Sequence, residues 1–101
     1  MAGAVINAAA RLGDDVIVNS GAIVEHDCVI GNHAHIATGS RLASGVHVGD
    51  GALVGVGASV RQLISIGRNA IVGAGAAVVS DVPDDTVVVG VPARVLKRVG
   101  E

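Results

Sequence analysis

The 101 residues include no phenylalanine, tyrosine or tryptophan, and only one cysteine, one methionine and two prolines. Without rings to fill irregular spaces, a core must be narrow and lined by aliphatic side chains. The same lack removes the stacking platforms of nucleic-acid binders. Seven Lys and Arg against nine Asp and Glu give a formal net charge of −2, so there is no basic footprint either. A single cysteine, Cys28, permits no disulfide within the chain. Half the residues are apolar, yet no run approaches the eighteen or so uninterrupted apolar residues that a membrane-crossing helix requires. No basic segment followed by an apolar stretch and a cleavage site opens the sequence, so the expectation is a cytoplasmic protein.

What the sequence has is a period. Ile6, Leu12, Val18, Val24, Ile30, Ile36, Leu42, Val48, Val54, Val60, Ile66, Val72 and Val78 stand six apart without a slip. A helix needs apolar residues every three or four positions and a half-buried strand every two, so this chain is built from neither. A hexapeptide period marks a parallel β-helix whose coils stack on one another. The fourth residue after each aliphatic is small or aliphatic, from Ala10, Val16, Ala22 and Cys28 through to Val82, which defines a second inward column. Cys28 in that column reads as a packed thiol. Glycine often occupies the place directly after the aliphatic or three after it, where tight corners demand positive φ.

The turn-rich run Asp81-Val82-Pro83-Asp84-Asp85 ends the repeat. This divides the chain into a β-helix over 1–83 and a tail over 84–101. The tail reads as an extended segment, Thr86 to Val91, followed by a short helix, Ala93 to Val99, that starts behind Pro92, stops at Gly100 and packs Val95, Leu96 and Val99 on the prism. Burying one aliphatic contributes roughly 1.5–3 kcal/mol, while ordering each residue costs about 1.5 kcal/mol. A lumen this small therefore needs help, and burial of an outer face in an oligomer is the expected source.

An aliphatic lumen has no room for a ligand, so chemistry must lie on outer faces or between subunits. Of four histidines, His26 is flanked by Glu25 and Asp27 and falls in the column Ala8, His26, Ser44, Gln62 and Ser80. A carboxylate beside an imidazole orients it and favours its role as a general base; the alternative is a solvated acidic turn. His35 falls among aliphatics in the column Ile17, His35, Leu53 and Ile71. It marks either a ligand-lined or interface face or a packed ring with a satisfied hydrogen bond. His33 and His47 read as surface residues. No two histidines stand eighteen residues apart, so the spacing does not favour zinc, and no metal site is expected.

The run Asn19-Ser20-Gly21-Ala22-Ile23-Val24-Glu25-His26-Asp27-Cys28-Val29-Ile30-Gly31, then His33-Ala34-His35-Ile36-Ala37 and the terminal Val89-Gly90-Val91-Pro92-Ala93-Arg94 carry a family resemblance. The chain resembles, over nearly its whole length, the C-terminal domain of bacterial sugar acetyltransferases of the sialic acid O-acetyltransferase and UDP-4-amino-sugar N-acetyltransferase type. The resemblance implies a left-handed parallel β-helix, an exception to right-handed crossovers, with three sides and about four coils from Ile6 to Pro83. It further implies a homotrimer with acetyl-CoA in clefts between subunits. On this reading the acceptor is a sugar or sugar nucleotide, His26 is the general base and Asp27 its acidic partner, at a place where the family often has Glu. His35 corresponds to a position near the thioester, and Val56 and Ala74, with Gly57 and Gly75 beside them, to positions along the pantetheine arm. Arg94, Lys97 and Arg98 are placed near the coenzyme phosphates, or else form a solvated face. Family members carry an N-terminal α/β domain that holds the sugar nucleotide, and an opening coil; neither is found among these 101 residues. The expectation is a chain with the coenzyme cleft and base but without most of the acceptor site. The alternative is a non-enzymatic trimeric β-helix scaffold.

Overall fold

The computed structural model describes residues 3–100. Each hexapeptide contributes a two-residue strand ending on the periodic aliphatic, followed by a turn. The strands stack into three parallel sheets, which form the three sides of a solenoid of about five turns. Side one holds Val5–Ile6, Ile23–Val24, Arg41–Leu42, Ser59–Val60 and Ala77–Val78. Side two holds Arg11–Leu12, Val29–Ile30, His47–Val48 and Ser65–Ile66. Side three holds Ile17–Val18, His35–Ile36, Leu53–Val54 and Ile71–Val72, and continues into Thr86–Val89 and Arg94–Arg98. Partners within each side stand one eighteen-residue coil apart, as in Val5 with Ile23 and Leu53 with Ile71. The parallel solenoid agrees with the left-handed β-helix expected from the sequence.

The six-residue step sets the inside. Val18, Val24, Ile30, Ile36, Leu42 and Val54 are sealed from solvent, as are Ala22, Cys28, Ala34 and Ala58 in the second inward column. Among the described residues Ser40 is the buried polar exception, and its hydroxyl donates to the Ala37 carbonyl at 2.7 Å. Corners are held by the third residue after each aliphatic, which has positive φ from Gly3 to Gly75. At Ala9, Asp15, Asp27, His33, Leu63 and Asn69 a residue with a side chain adopts this conformation. Asp and Asn tolerate it; leucine is an outlier there.

The end of the repeat departs from the sequence reading in two ways. First, the final turn is two residues short: Val82 bridges Ile66, and Val87 and Val88 pair with Ile71 and Val72, all sixteen apart. Val82 thus takes a strand place instead of its expected column. Asp81 and Asp84 complete the tightened turn by accepting the Ser65 and Arg68 N–H groups at 2.9 and 2.7 Å. Second, there is no short C-terminal helix. Arg94–Arg98 is a strand, antiparallel to Thr86–Val89, with a bulge at Val87/Val88. A seven-residue helix is marginal in water, whereas the free edge of Thr86–Val89 offers a ladder and Val95 suits a strand. Nor do Val95 and Leu96 pack on the prism, being 58% and 61% exposed; of this segment Ala93 touches the core.

Candidate functional site

The turn after Ile23–Val24, at the corner between sides one and two, carries His26. Asp27 beside it adopts φ 64°, and its Oδ2 comes within 3.7 Å of His26 Nδ1. From the coil above, Ser44 Oγ reaches the same nitrogen at 3.4 Å. The Asp27 carboxylate, which only accepts, favours the tautomer with the proton on Nδ1, and the Ser44 hydroxyl can accept from the same N–H; a neutral imidazole then keeps an acceptor lone pair on Nε2. Glu25, the other acidic neighbour, is engaged elsewhere: its carboxylate accepts from the Asn7 side-chain amide of the coil below. The imidazole is exposed, as a proton acceptor that meets a substrate must be.

His35 opens its strand on side three, in register with Ile17 and Leu53. Its Nε2 lies 2.9 Å from the Asn19 amide nitrogen. That nitrogen only donates, so Nε2 accepts and Nδ1 carries the proton in the neutral ring. The structure therefore satisfies one side of His35 and leaves the ring half-buried.

Val56, Gly57, Ala74 and Gly75 are exposed at the corner between sides three and one. They stack directly, with the Gly75 N–H donating to the Val56 carbonyl at 2.8 Å. A Cβ placed on either glycine would meet nothing within 4 Å. An elongated ligand can therefore lie against the backbone there. Arg94 pairs with Val89, whose side chain lies over Gly73, so the guanidinium-bearing residue stands at the end of this corner column. Lys97, opposite Val87 in register with Ile71, stands farther along side three.

The candidates thus stand at two corners and on side three. His26 and Asp27 share one corner with Ser44; Val56, Gly57, Ala74, Gly75 and Arg94 share another; His35 lies on side three, nine residues from His26 and half a coil away. A single chain does not gather them. Ser44 and Asn19 are the residues that the sequence reading assigned no role. Ser44 was visible as a column-mate of His26, while Asn19 stands sixteen residues from His35, off the eighteen-residue register.

Elsewhere, His33 Nδ1 faces Asp15 Oδ2 at 3.4 Å on the corner between sides two and three. Among the described residues, no group of three or more His, Cys, Asp or Glu is placed to hold a metal ion, and no helix is long and apolar enough to cross a membrane.

Residues 9–44 match the family model of the bacterial transferase hexapeptide (six repeats). PerB, the perosamine N-acetyltransferase of Caulobacter crescentus, solved in complex with CoA and GDP-perosamine, is 40% identical with a TM-score of 0.82 over 92% of this chain and 54% of its own. Serine acetyltransferase from Neisseria gonorrhoeae is 38% identical with a TM-score of 0.91 over 98% of this chain and 43% of its own. Soybean serine acetyltransferase complexed with serine is 38% identical with a TM-score of 0.83, over 90% of this chain and 42% of its own. The chain spans about half the length of these proteins or less. No curated protein matches it by sequence.

Proposed function

We propose that this chain is the catalytic prism of an acetyl-CoA-dependent acetyltransferase, which moves acetyl to an amine or hydroxyl of a sugar or sugar nucleotide with His26 as general base. The observation that carries this reading is the exposed imidazole whose Nδ1 faces Asp27 and Ser44, leaving Nε2 for a substrate. The likeness to a perosamine N-acetyltransferase crystallised with CoA and GDP-perosamine supports both donor and acceptor class.

In the reaction, Nε2 takes the proton of the acceptor nitrogen or oxygen as that atom bonds to the acetyl carbon. The carbon–sulfur bond breaks, and the proton passes from the imidazolium to the departing thiolate. Asp27 stabilises the imidazolium in between. The coenzyme arm lies along Val56, Gly57, Ala74 and Gly75, with Arg94 toward its phosphates, His35 toward the thioester and Lys97 beyond. Because base and coenzyme corner are separate within one chain, the site is completed by neighbouring copies: the base corner of one prism meets the coenzyme corner of the next in a homotrimer.

The test is thiol release from acetyl-CoA with a panel of amino sugars, a nucleotide-linked amino sugar and serine. Acceptor-dependent release that falls about 10²- to 10⁴-fold in His26→Ala is the expected result. Equal rates in parent and variant would leave the alternative, a trimeric scaffold without catalysis. Sedimentation is expected at three times the 9.9 kDa chain mass; a stable monomer rejects the shared cleft.

A further inference from the structure

Leu63 stands at a corner position whose backbone is left-handed, φ 62°, where the other described residues with side chains are Ala, Asp, His and Asn. Its side chain is 75% exposed. A large aliphatic residue has no local reason to adopt that conformation and recovers little from burial in return. Residues strained in this way cluster at active sites and ligand clamps.

The corner is the one that carries His26. The Leu63 N–H donates to the Ser44 carbonyl at 3.0 Å, and the Gly45 N–H to the His26 carbonyl at 3.2 Å. Leu63 therefore stands two coils above Asp27, about 10 Å along the prism. Between them the corner is small: Ala43, Ser44 and Gly45 are half-buried, whereas His26 and Asp27 below and Leu63 above are exposed. The leucine side chain turns down into this interval, since a Cβ on Gly45 would come within 2.7 Å of its Cδ2. A notch results, floored by small residues, with the imidazole and carboxylate at its lower lip and leucine methyls at its upper one.

The atom that gives its proton to His26 Nε2 lies within about 3 Å of it, and the acyl carbon is one bond beyond. The acyl group is therefore held within about one coil height of the imidazole. The coenzyme corner assigned above, Val56–Gly57 and Ala74–Gly75, belongs to the same two coils as Ser44 and Leu63. In copies set side by side the donor thus comes to His26 from the side of Leu63. The acyl tail is the apolar part of the reacting pair at that point, and an exposed leucine is an apolar wall.

We propose that Leu63 is a specificity residue for the donor's acyl group: its side chain closes the upper end of the notch, so that acetyl fits over the base and a longer acyl chain collides with the leucine. This role rests on the acetyltransferase reading and adds to it the residue that limits the donor to short acyl groups.

The experiment compares the parent with Leu63→Gly on acetyl-CoA, propionyl-CoA and butyryl-CoA, by acceptor-dependent thiol release and by calorimetric binding. Glycine accepts φ 62° and the side chain is exposed, so the variant should fold like the parent. The parent is expected to prefer acetyl to propionyl by at least about tenfold in kcat/KM, the effect of one methylene in a filled apolar pocket, and to use butyryl less well still. Leu63→Gly is expected to bring acetyl and propionyl within about threefold of each other, with the same trend in dissociation constants. An unchanged preference overturns the proposal. So does a change confined to the acceptor's KM, which gives Leu63 to the acceptor, or one confined to sedimentation, which gives it to the contact between copies. Binding that shifts toward longer acyl groups in Leu63→Gly, without turnover in either protein, keeps the acyl limit and rejects the enzyme. Turnover that falls in His26→Ala but whose acyl preference ignores Leu63 keeps the enzyme and rejects the acyl limit. No binding of any of the three donors rejects both.

Discussion

The Ser44 hydroxyl lies 3.4 Å from His26 Nδ1, one coil above it, and the Asp27 carboxylate approaches the same nitrogen to 3.7 Å. Both oxygens can accept from an Nδ1–H and so favour the tautomer that frees Nε2. Asp27 does so with a full charge and Ser44 with a dipole, so Asp27→Asn is expected to lower kcat/KM more, by about tenfold against about threefold for Ser44→Ala. Asp27 and His26 are exposed and Ser44 is half-buried, which keeps these effects well short of a buried pair's. Nitrogen chemical shifts of the His26 ring provide the check: each substitution should raise the Nε2–H population, and the double variant should raise it further. An unchanged tautomer ratio in all three would show that neither oxygen positions the ring.

Leu63 holds φ 62° while 75% exposed. Left-handed backbone costs a leucine about 1–2 kcal/mol, and so exposed a side chain recovers little by burial. Leu63→Gly or Leu63→Asn is therefore expected to stabilise the fold by about 1 kcal/mol, seen as a higher denaturant midpoint with an unchanged slope. A loss of stability would mean that the leucine side chain over Gly45 contributes more than its backbone strain costs.

Two glycines separate folding from ligand approach. A Cβ on Gly49 would sit 2.6 Å from the Arg68 nitrogen and 2.8 Å from the Gly67 carbonyl carbon, backbone atoms that cannot swing aside. Gly49→Ala is expected to cost about 3 kcal/mol. Gly57 has φ +69° with nothing within 4 Å of its Cβ position, so Gly57→Ala should cost only about 1 kcal/mol. If the coenzyme lies along that corner, Gly57→Ala raises its KM about tenfold while kcat holds, since the methyl group obstructs binding rather than chemistry. An unchanged KM would move the coenzyme elsewhere.

The repeat made the solenoid legible because one period fixes both which side chains point inward and, once three sides are counted, an eighteen-residue register. The same register placed Ser44 over His26. It was blind where side chains reach across it, as Asn19 does to His35, because that contact depends on the reach of an amide and not on column membership. It also failed at the tail. Pro92 and Gly100 bracket a segment with helix-like ends, but nothing local shows that Thr86–Val89 presents an open edge, and that edge decided the conformation of Arg94–Arg98. The shortened last turn depends on Asp81 and Asp84 accepting backbone N–H groups, which an aliphatic period does not encode.

Cys28 is sealed in the lumen, and its Sγ donates to the Ala43 carbonyl at 3.2 Å. Burial pushes the thiol above its ordinary value near 9.0, because the thiolate loses its hydration there. The folded chain therefore holds this proton at pH values where the unfolded chain has released it. Stability from this group is complete below the unfolded thiol's pKa and is lost as pH rises through the folded value. On this basis the parent should lose more stability than Cys28→Ala between pH 7.5 and pH 10, measured as the fall in denaturant midpoint. Alkylation gives an independent check, since the thiolate is the reacting form. Iodoacetamide at pH 8 should leave Cys28 unmodified while the unfolded chain reacts fully. Modification of the folded protein at the unfolded rate would show that the coil around Cys28 opens readily, and it would count against a sealed lumen at the base corner.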